Sequence, residues 1–223
     1  MNGLVWLRSD LRIDDNPALM MAGNECHKVL CLYMHSLNEW NDHNNSNVKL
    51  DFIIQNLLDL SLNLKNLNIP LACLTAEKFS SLPSLIAKVC KLNNIDKCYW
   101  NNEFGVDEQK RDADVEINLK RLGIDFQSFD EQIVFKPGFL KTGQGKPFSV
   151  FTPFKKKWIE NFSLDHLDID TRISPKAPFE ISLPLKENIQ FEKTHNVDMK
   201  LWPAGEKAAQ KRLENFLEQK VFN

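Results

Sequence analysis

The first residues able to do chemistry are three charges at alternate positions, Arg8, Asp10 and Arg12. They follow Leu4-Val5-Trp6-Leu7, an uncharged run that reads as a strand buried on both faces. Asp15-Asn16-Pro17 comes next and signals a helix start: a capping side chain, then a proline whose fixed φ suits the first turn. Ligands of a parallel sheet bind above the carboxyl ends of its strands, and this charged turn would sit there. Two adjacent carboxylates, Asp107 and Glu108, stand at another predicted helix start, where acids complement the helix dipole. His43 lies in a polar loop. The cluster Thr142-Gly143-Gln144-Gly145-Lys146-Pro147 is not a phosphate loop, because Pro147 and an apolar run follow where a Ser or Thr should open a helix. No Ser/His/Asp, Cys/His or metal-ligand pattern is visible, and the five histidines lack i,i+4 pairing. No catalytic and no metal-binding residue is therefore assigned.

The elements that must position these residues alternate. Val29 to Met34 is a second continuous apolar run, hence a second central strand. Leu50, Ile53, Ile54, Leu57, Leu58, Leu60, Leu64 and Leu67 recur at helical spacing between Val48 and Leu67. A third strand is expected over Ile69 to Leu74, a helix over Leu82 to Leu92, a fourth strand over Lys97 to Trp100, a helix over Glu108 to Leu122 and a fifth strand over Ile124 to Phe129. Short connections between such units leave only right-handed crossovers. The pattern predicts a doubly wound five-stranded parallel sheet complete by about residue 130. From 131 to 200 the alternation stops and prolines accumulate, which marks a connecting segment with one helix, Pro153 to Asn161. A last amphipathic helix is expected over Lys207 to Lys220.

Composition narrows the class. With 43% apolar and 26% charged residues, the 223-residue chain is ordinary for a globular protein. A net charge of −2 offers no electrostatic case for a free-standing nucleic-acid binder. Five scattered cysteines without a Cys-x-x-Cys spacing argue for reduced thiols in a cytosol. The start lacks a signal peptide's basic region, and no apolar run reaches membrane length. A cytoplasmic monomer is expected.

Trp6-Leu7-Arg8-Ser9-Asp10-Leu11-Arg12, followed by Asp15-Asn16-Pro17-Ala18-Leu19, resembles the amino-terminal signature of the DNA photolyase and cryptochrome family. Three further blocks follow in the family's order. These are the turn from Tyr99 to Asp112, the stretch from Gly145 to Phe154, and Trp202-Pro203-Ala204-Gly205-Glu206-Lys207-Ala208-Ala209. The resemblance runs over the whole chain and is closest to the folate-type cyclobutane pyrimidine dimer photolyases. It implies an α/β, Rossmann-like doubly wound sheet in the order 3-2-1-4-5, then an irregular linker and one terminal helix. It divides the chain into an antenna-binding domain (1–130), an interdomain linker (131–200) and the first helix (201–223) of a carboxy-terminal FAD-binding helical domain.

The resemblance also implies light-driven repair of pyrimidine dimers, with a reduced flavin transferring an electron to a dimer flipped out of the duplex. The flavin and the contact with damaged DNA would belong to the helical domain beyond this chain. The chain alone is expected not to repair DNA and to hold its antenna pigment, methenyltetrahydrofolate, weakly or not at all. An Asn-Glu pair binds that pigment in the family. It falls on Asp107 and Glu108, so the Glu is kept and the Asn is replaced by Asp. A carboxylate such as Glu108 can accept two parallel hydrogen bonds from an aminopyrimidine edge. Asp107 cannot donate as an amide does. His43-Asn44 resembles the family's loop beside the antenna pocket. Arg8, Asp10 and Arg12 read as a structural ion-pair network. Two alternatives remain: a cryptochrome-type photoreceptor, or a nucleotide-binding module of universal-stress or electron-transfer-flavoprotein type. The second would carry a Gly-x-x-Gly turn near the fourth strand, where Gly105 stands alone.

Overall fold

The computed structural model describes residues 1–36, 46–76, 78–167, 173–183 and 200–221. Its centre is strand β1 (Asn2–Leu7), hydrogen-bonded on one side to β2 (Lys28–Ser36) and on the other to β4 (Lys97–Asn101). Strand β3 (Leu71–Ala76) flanks β2 and β5 (Asp125–Phe129) flanks β4, all parallel, in the order 3-2-1-4-5. Both faces of β1 are covered, which explains why its sequence is continuously apolar rather than alternating. One face, with Leu4, Trp6, Leu30, Leu32 and Trp100, packs under α3 (Leu82–Leu92) and α4 (Val106–Leu122). The other, with Val5, Leu7, Cys31 and Tyr99, packs under α1 (Pro17–Glu25) and α2 (Asn47–Lys65).

The helix ends follow local chemistry. Asn16 caps α1 by accepting from the Leu19 N–H at 3.1 Å, with Pro17 in the first turn. Ser46 caps α2 in the same way. Helix α4 ends on Gly123 at φ 69°, a left-handed position where a side chain would be strained. Its start is two residues earlier than periodicity predicts, because the capping residue is Gly105 and Val106 begins the helix while 85% exposed. Helix α5 (Phe151–Asn161) likewise starts before Pro153, which sits in the first turn where a missing N–H costs nothing. Helix α6 (Glu206–Phe216) runs on as a π turn over Leu217–Val221.

Residues 173–183 form a strap across the amino ends of the strands. Backbone N–H groups of Lys176 and Ala177 donate to Leu67 and His27 carbonyls, and Asn93 and Ser182 exchange two bonds of 2.8 Å. Ile173 fills the space above Gly23, while Phe179, Ile181 and Leu183 pack on the core. Among the described residues no helix is long and apolar enough to cross a membrane.

Candidate functional site

In an open doubly wound sheet the ligand crevice lies where neighbouring strands send their connections to opposite faces. Here that point lies between β1 and β4, and the chain fills it with its own side chains. The Arg8 guanidinium donates to both oxygens of Asp112, at 3.1 and 3.2 Å, and to the Asn101 carbonyl. Arg111 donates to Asp112 Oδ1 at 2.9 and 2.8 Å and to Glu103 Oε2 at 2.9 Å. Ser9 donates to the other Glu103 oxygen at 3.0 Å. The two guanidinium carbons stand 4.5 and 4.8 Å from the Trp6 ring centroid, so the indole carries a cation at each of two contacts.

Beside this group, Asp10 accepts from the Arg8 N–H at 2.7 Å and from the Asn101 amide at 2.6 Å. That amide also donates to Asn16 at 2.8 Å, and its oxygen accepts from Ala18 N–H at 3.2 Å. Arg8, Asp10, Asn16, Asn101, Arg111 and Asp112 are all buried. Arg12 lies at the edge, paired with Glu131. The three charges of the first turn thus hold sheet and helices together rather than facing a substrate.

Burial governs the electrostatics of this group. It pushes the Arg8 guanidinium below its ordinary value, and it raises the Asp112 carboxyl even though two arginines oppose the rise. Burial also works to raise Glu103, but there Arg8, Arg111 and Ser9 outweigh it and hold the carboxyl below its usual range. At Arg12, burial is outweighed by Glu131, and the guanidinium rises. Partners outweigh burial at Glu103 and Arg12, and burial outweighs partners at Arg8 and Asp112.

The same rim continues along the turn after β4, and there it is open. Asp107 is exposed in the first turn of α4 and Glu108 is half-buried beside it. The Glu108 carboxylate folds back over Gly105 and occupies the space a Cβ at 105 would need. Neither acid has a hydrogen bond or ion pair among the described residues. Exposed Val106 and half-buried Phe104 lie alongside in the chain, giving apolar surface next to the carboxylate. Arg8 and Glu108 lie on one rim, at the carboxyl ends of adjacent parallel strands. His43 lies outside the described residues.

Sequence reasoning assigned no role to Asn101, Glu103, Arg111 or Asp112. One signal was present: Asp112 falls on the same helical stripe as Val115 and Leu119, where spacing calls for apolar side chains. A charge on a buried stripe requires a buried partner.

A family model described as DNA photolyase matches residues 3–176. The deoxyribodipyrimidine photo-lyase of Vibrio cholerae is 29% identical over 222 residues, covering 98% of this chain and 47% of that protein. The corresponding protein of Buchnera aphidicola (from Acyrthosiphon pisum) is 31% identical over 96% of this chain and 44% of its own length. Cryptochrome-2 of Arabidopsis thaliana is 27% identical over 99% of the chain and 37% of its own length. The chain therefore spans less than half the length of these relatives. Among solved structures, a class III photolyase from Agrobacterium tumefaciens superposes with a TM-score of 0.72 at 22% identity, covering 97% of this chain and 44% of that one. A Synechocystis cryptochrome gives 0.72 at 19%, covering 97% and 46%. At these identities the likeness shows a shared fold.

Proposed function

Because this chain belongs to the DNA photolyase family, we propose that it forms the light-collecting part of a deoxyribodipyrimidine photolyase acting on cyclobutane pyrimidine dimers in DNA. In this reading residues 1–130 hold the antenna pigment, 131–200 connect, and 201–223 begin the helical domain that carries FAD and meets damaged DNA. The observation that carries it is the division of the rim. The crevice between β1 and β4 is plugged by buried side chains, while the Glu108 carboxylate beside it stands unpaired at the surface.

These residues fit a reduced pterin. Glu108 offers two acceptors to an aminopyrimidine edge, a bidentate and charge-assisted arrangement. Val106 and Phe104 offer apolar contact, and the positive end of α4 favours the carboxylate's charge. Asp107 supplies only acceptors. Methenyltetrahydrofolate would supply absorption of near-ultraviolet and blue light. The flavin finds no comparable cradle at the plugged crevice, which also disfavours a nucleotide-binding module, since side chains fill the place a phosphate would need. A cytoplasmic setting fits the cysteine pattern.

Titration of a full-length protein containing this chain with methenyltetrahydrofolate, followed by pigment absorbance, tests the assignment. Glu108→Gln loses the charge-assisted pair and weakens binding on the order of tenfold. Asp107→Asn restores a donor and tightens it. A full-length protein containing this chain that takes up no folate overturns the reading. The 27% identity to a plant cryptochrome supports a photoreceptor as the second reading. Light-dependent dimer repair by a full-length protein containing this chain separates the two.

A further inference from the structure

Among the described residues one pair of cysteine sulfurs is in contact. Cys90 Sγ, in the last turn of α3, lies 3.4 Å from Cys98 Sγ, on the second residue of β4. Both residues are buried, at 0% and 1% exposed. The other three cysteines are placed differently: Cys26 faces the Tyr99 hydroxyl at 3.4 Å, Cys31 lies opposite Leu71 in the sheet, and Cys73 opposite Tyr33. Sulfurs joined in a disulfide are about 2.05 Å apart. Closing the Cys90–Cys98 gap therefore takes a movement of about 1.4 Å.

Two buried cysteines in contact would ordinarily be no more than small apolar side chains. What sets this pair apart is its cover. The short join between α3 and β4 begins at Asn93, whose amide donates to the Val89 and Ser182 carbonyls at 2.8 Å each and whose oxygen accepts from the Ser182 N–H at 2.8 Å. Phe179, Ile181 and Leu183 of the 173–183 strap pack on the same apolar cluster that contains Cys90 and Cys98. The strap has no helix or strand of its own, and such segments open locally at far lower cost than a central sheet. While it is seated the pair is inert. A thiolate, not a thiol, is the nucleophile, and the contact with Cys90 together with burial holds the Cys98 thiol well above its ordinary range.

We propose that Cys90 and Cys98 form an oxidisable dithiol, converted by hydrogen peroxide to an intramolecular disulfide when the strap lifts from Asn93. One sulfur, as thiolate, attacks a peroxide oxygen: an S–O bond forms, the O–O bond breaks, and the departing hydroxide takes up the proton the thiol gave up. The second sulfur then attacks the sulfenic acid. The S–S bond forms as S–O breaks, and a second water leaves with the second thiol's proton. Two thiols and one peroxide thus give one disulfide and two waters. The contact makes the oxidation reversible, because a neighbouring thiol intercepts the sulfenic acid before it goes on to sulfinic acid. A transient disulfide is also the form compatible with a reducing cytosol. The proposal needs neither pigment nor flavin nor DNA, so it stands apart from the light-collecting reading.

The test treats a full-length protein containing this chain with hydrogen peroxide in the dark, blocks the remaining thiols, and digests with trypsin for mass spectrometry. Lys91 and Lys97 lie between the two cysteines, so the disulfide is read as peptides 89–91 and 98–110 joined, and dithiothreitol separates them. Wild type gives the joined pair without denaturant. Asn93→Ala removes two bonds to the strap and speeds its formation on the order of tenfold. Phe179→Ala, which loosens the strap at its apolar contact, speeds it too. Cys90→Ala gives no joined pair, and its Cys98 goes on to sulfinic acid. Cys73→Ala leaves the yield unchanged, although Cys73 is the more exposed thiol. Circular dichroism confirms that each variant folds. Three outcomes overturn the proposal: no joined peptides from wild type, joined peptides that form only in denaturant, or a rate that neither strap variant raises. None of these results bears on folate uptake, so the two readings fail separately.

Discussion

The crest between β1 and β4 and the segment following β5 invert the usual placement of residue types in opposite ways. At the crest charges are inside: Arg8, Asp10, Arg111 and Asp112 are each under one-tenth exposed. In the later segment aromatics are outside, with Phe139 and Phe151 more than half exposed. Buried charge persists only as a complete set, because removing one member strands the others in a poor dielectric. Exposed aromatic surface needs no such set and costs little to change. One region is therefore sensitive to substitution and the other tolerant of it.

The largest test of that contrast is Arg8→Ala. Asp112 loses one of its two arginines, the Asn101 carbonyl loses the Arg8 donor, Trp6 loses one of its two cation contacts, and stability falls by about 3–5 kcal/mol in a denaturant titration. Phe151→Ala in parallel changes stability by no more than about 0.5 kcal/mol. Equal losses in the two variants would erase the distinction.

Gly105 sharpens the comparison within the rim itself. Its φ of −65° and ψ of 151° suit any residue, so the backbone does not demand glycine. The demand comes from Glu108, whose flexible carboxylate lies where a Cβ would be. Gly105→Ala pushes that carboxylate away at little cost, so stability stays within about 0.5 kcal/mol while folate affinity drops by about tenfold. Loss of affinity in Glu108→Gln but not in Gly105→Ala would leave Glu108 a ligand and show that its seat over residue 105 does not position it.

These two places also show what could be read in advance. The five strands and their parallel order were legible because runs such as Leu4 to Leu7 and Val29 to Met34 have one physical solution, a strand covered on both faces. The start of α4 was misplaced by two residues because Gly105 carries no capping side chain and Val106 is an exposed apolar residue at the helix start. The partners of Arg8 were not legible at all. Asp112 is 104 positions away, and only the crossover from β4 to α4 brings it over β1. Asp107 and Glu108 were placed by resemblance, and the feature that distinguishes Glu108, its fold over Gly105, has no sequence signal apart from the glycine.

A smaller effect follows from pH. His35, at the end of β2, is buried, and burial pushes its pKa below the ordinary 6.5. A depressed folded-state value means that the unfolded chain takes up the proton first. Stability is then full above 6.5 and declines as pH falls toward the folded value, by no more than about 1.4 kcal/mol per pH unit for one proton. Glu103, also depressed, adds a second decline below its ordinary 4.5. His35→Gln removes the first decline and leaves the second. A flat wild-type stability between pH 6.5 and 4.5 would contradict the burial of His35.

The smallest effect lies at the far end of the same comparison, on the outer face of α4. Lys120 and Glu116 form an i,i+4 pair at 3.6 Å, but the lysine is 65% exposed and both partners remain hydrated when separated. Water and salt screen most of the attraction, and ordering two long side chains offsets part of the rest, so such pairs contribute about 0.3–0.5 kcal/mol. Lys120 also lies 5.1 Å above the Phe126 ring, a contact that survives at high salt better than the ion pair does. Lys120→Ala therefore lowers stability by about 0.5 kcal/mol in dilute buffer and by less in high salt. Arg8→Ala keeps its full cost in both, because its partners are shielded from the ions that do the screening. A salt series on the two variants thus measures burial directly, and convergence of their costs at high salt would mean that the crest of β1 is wet.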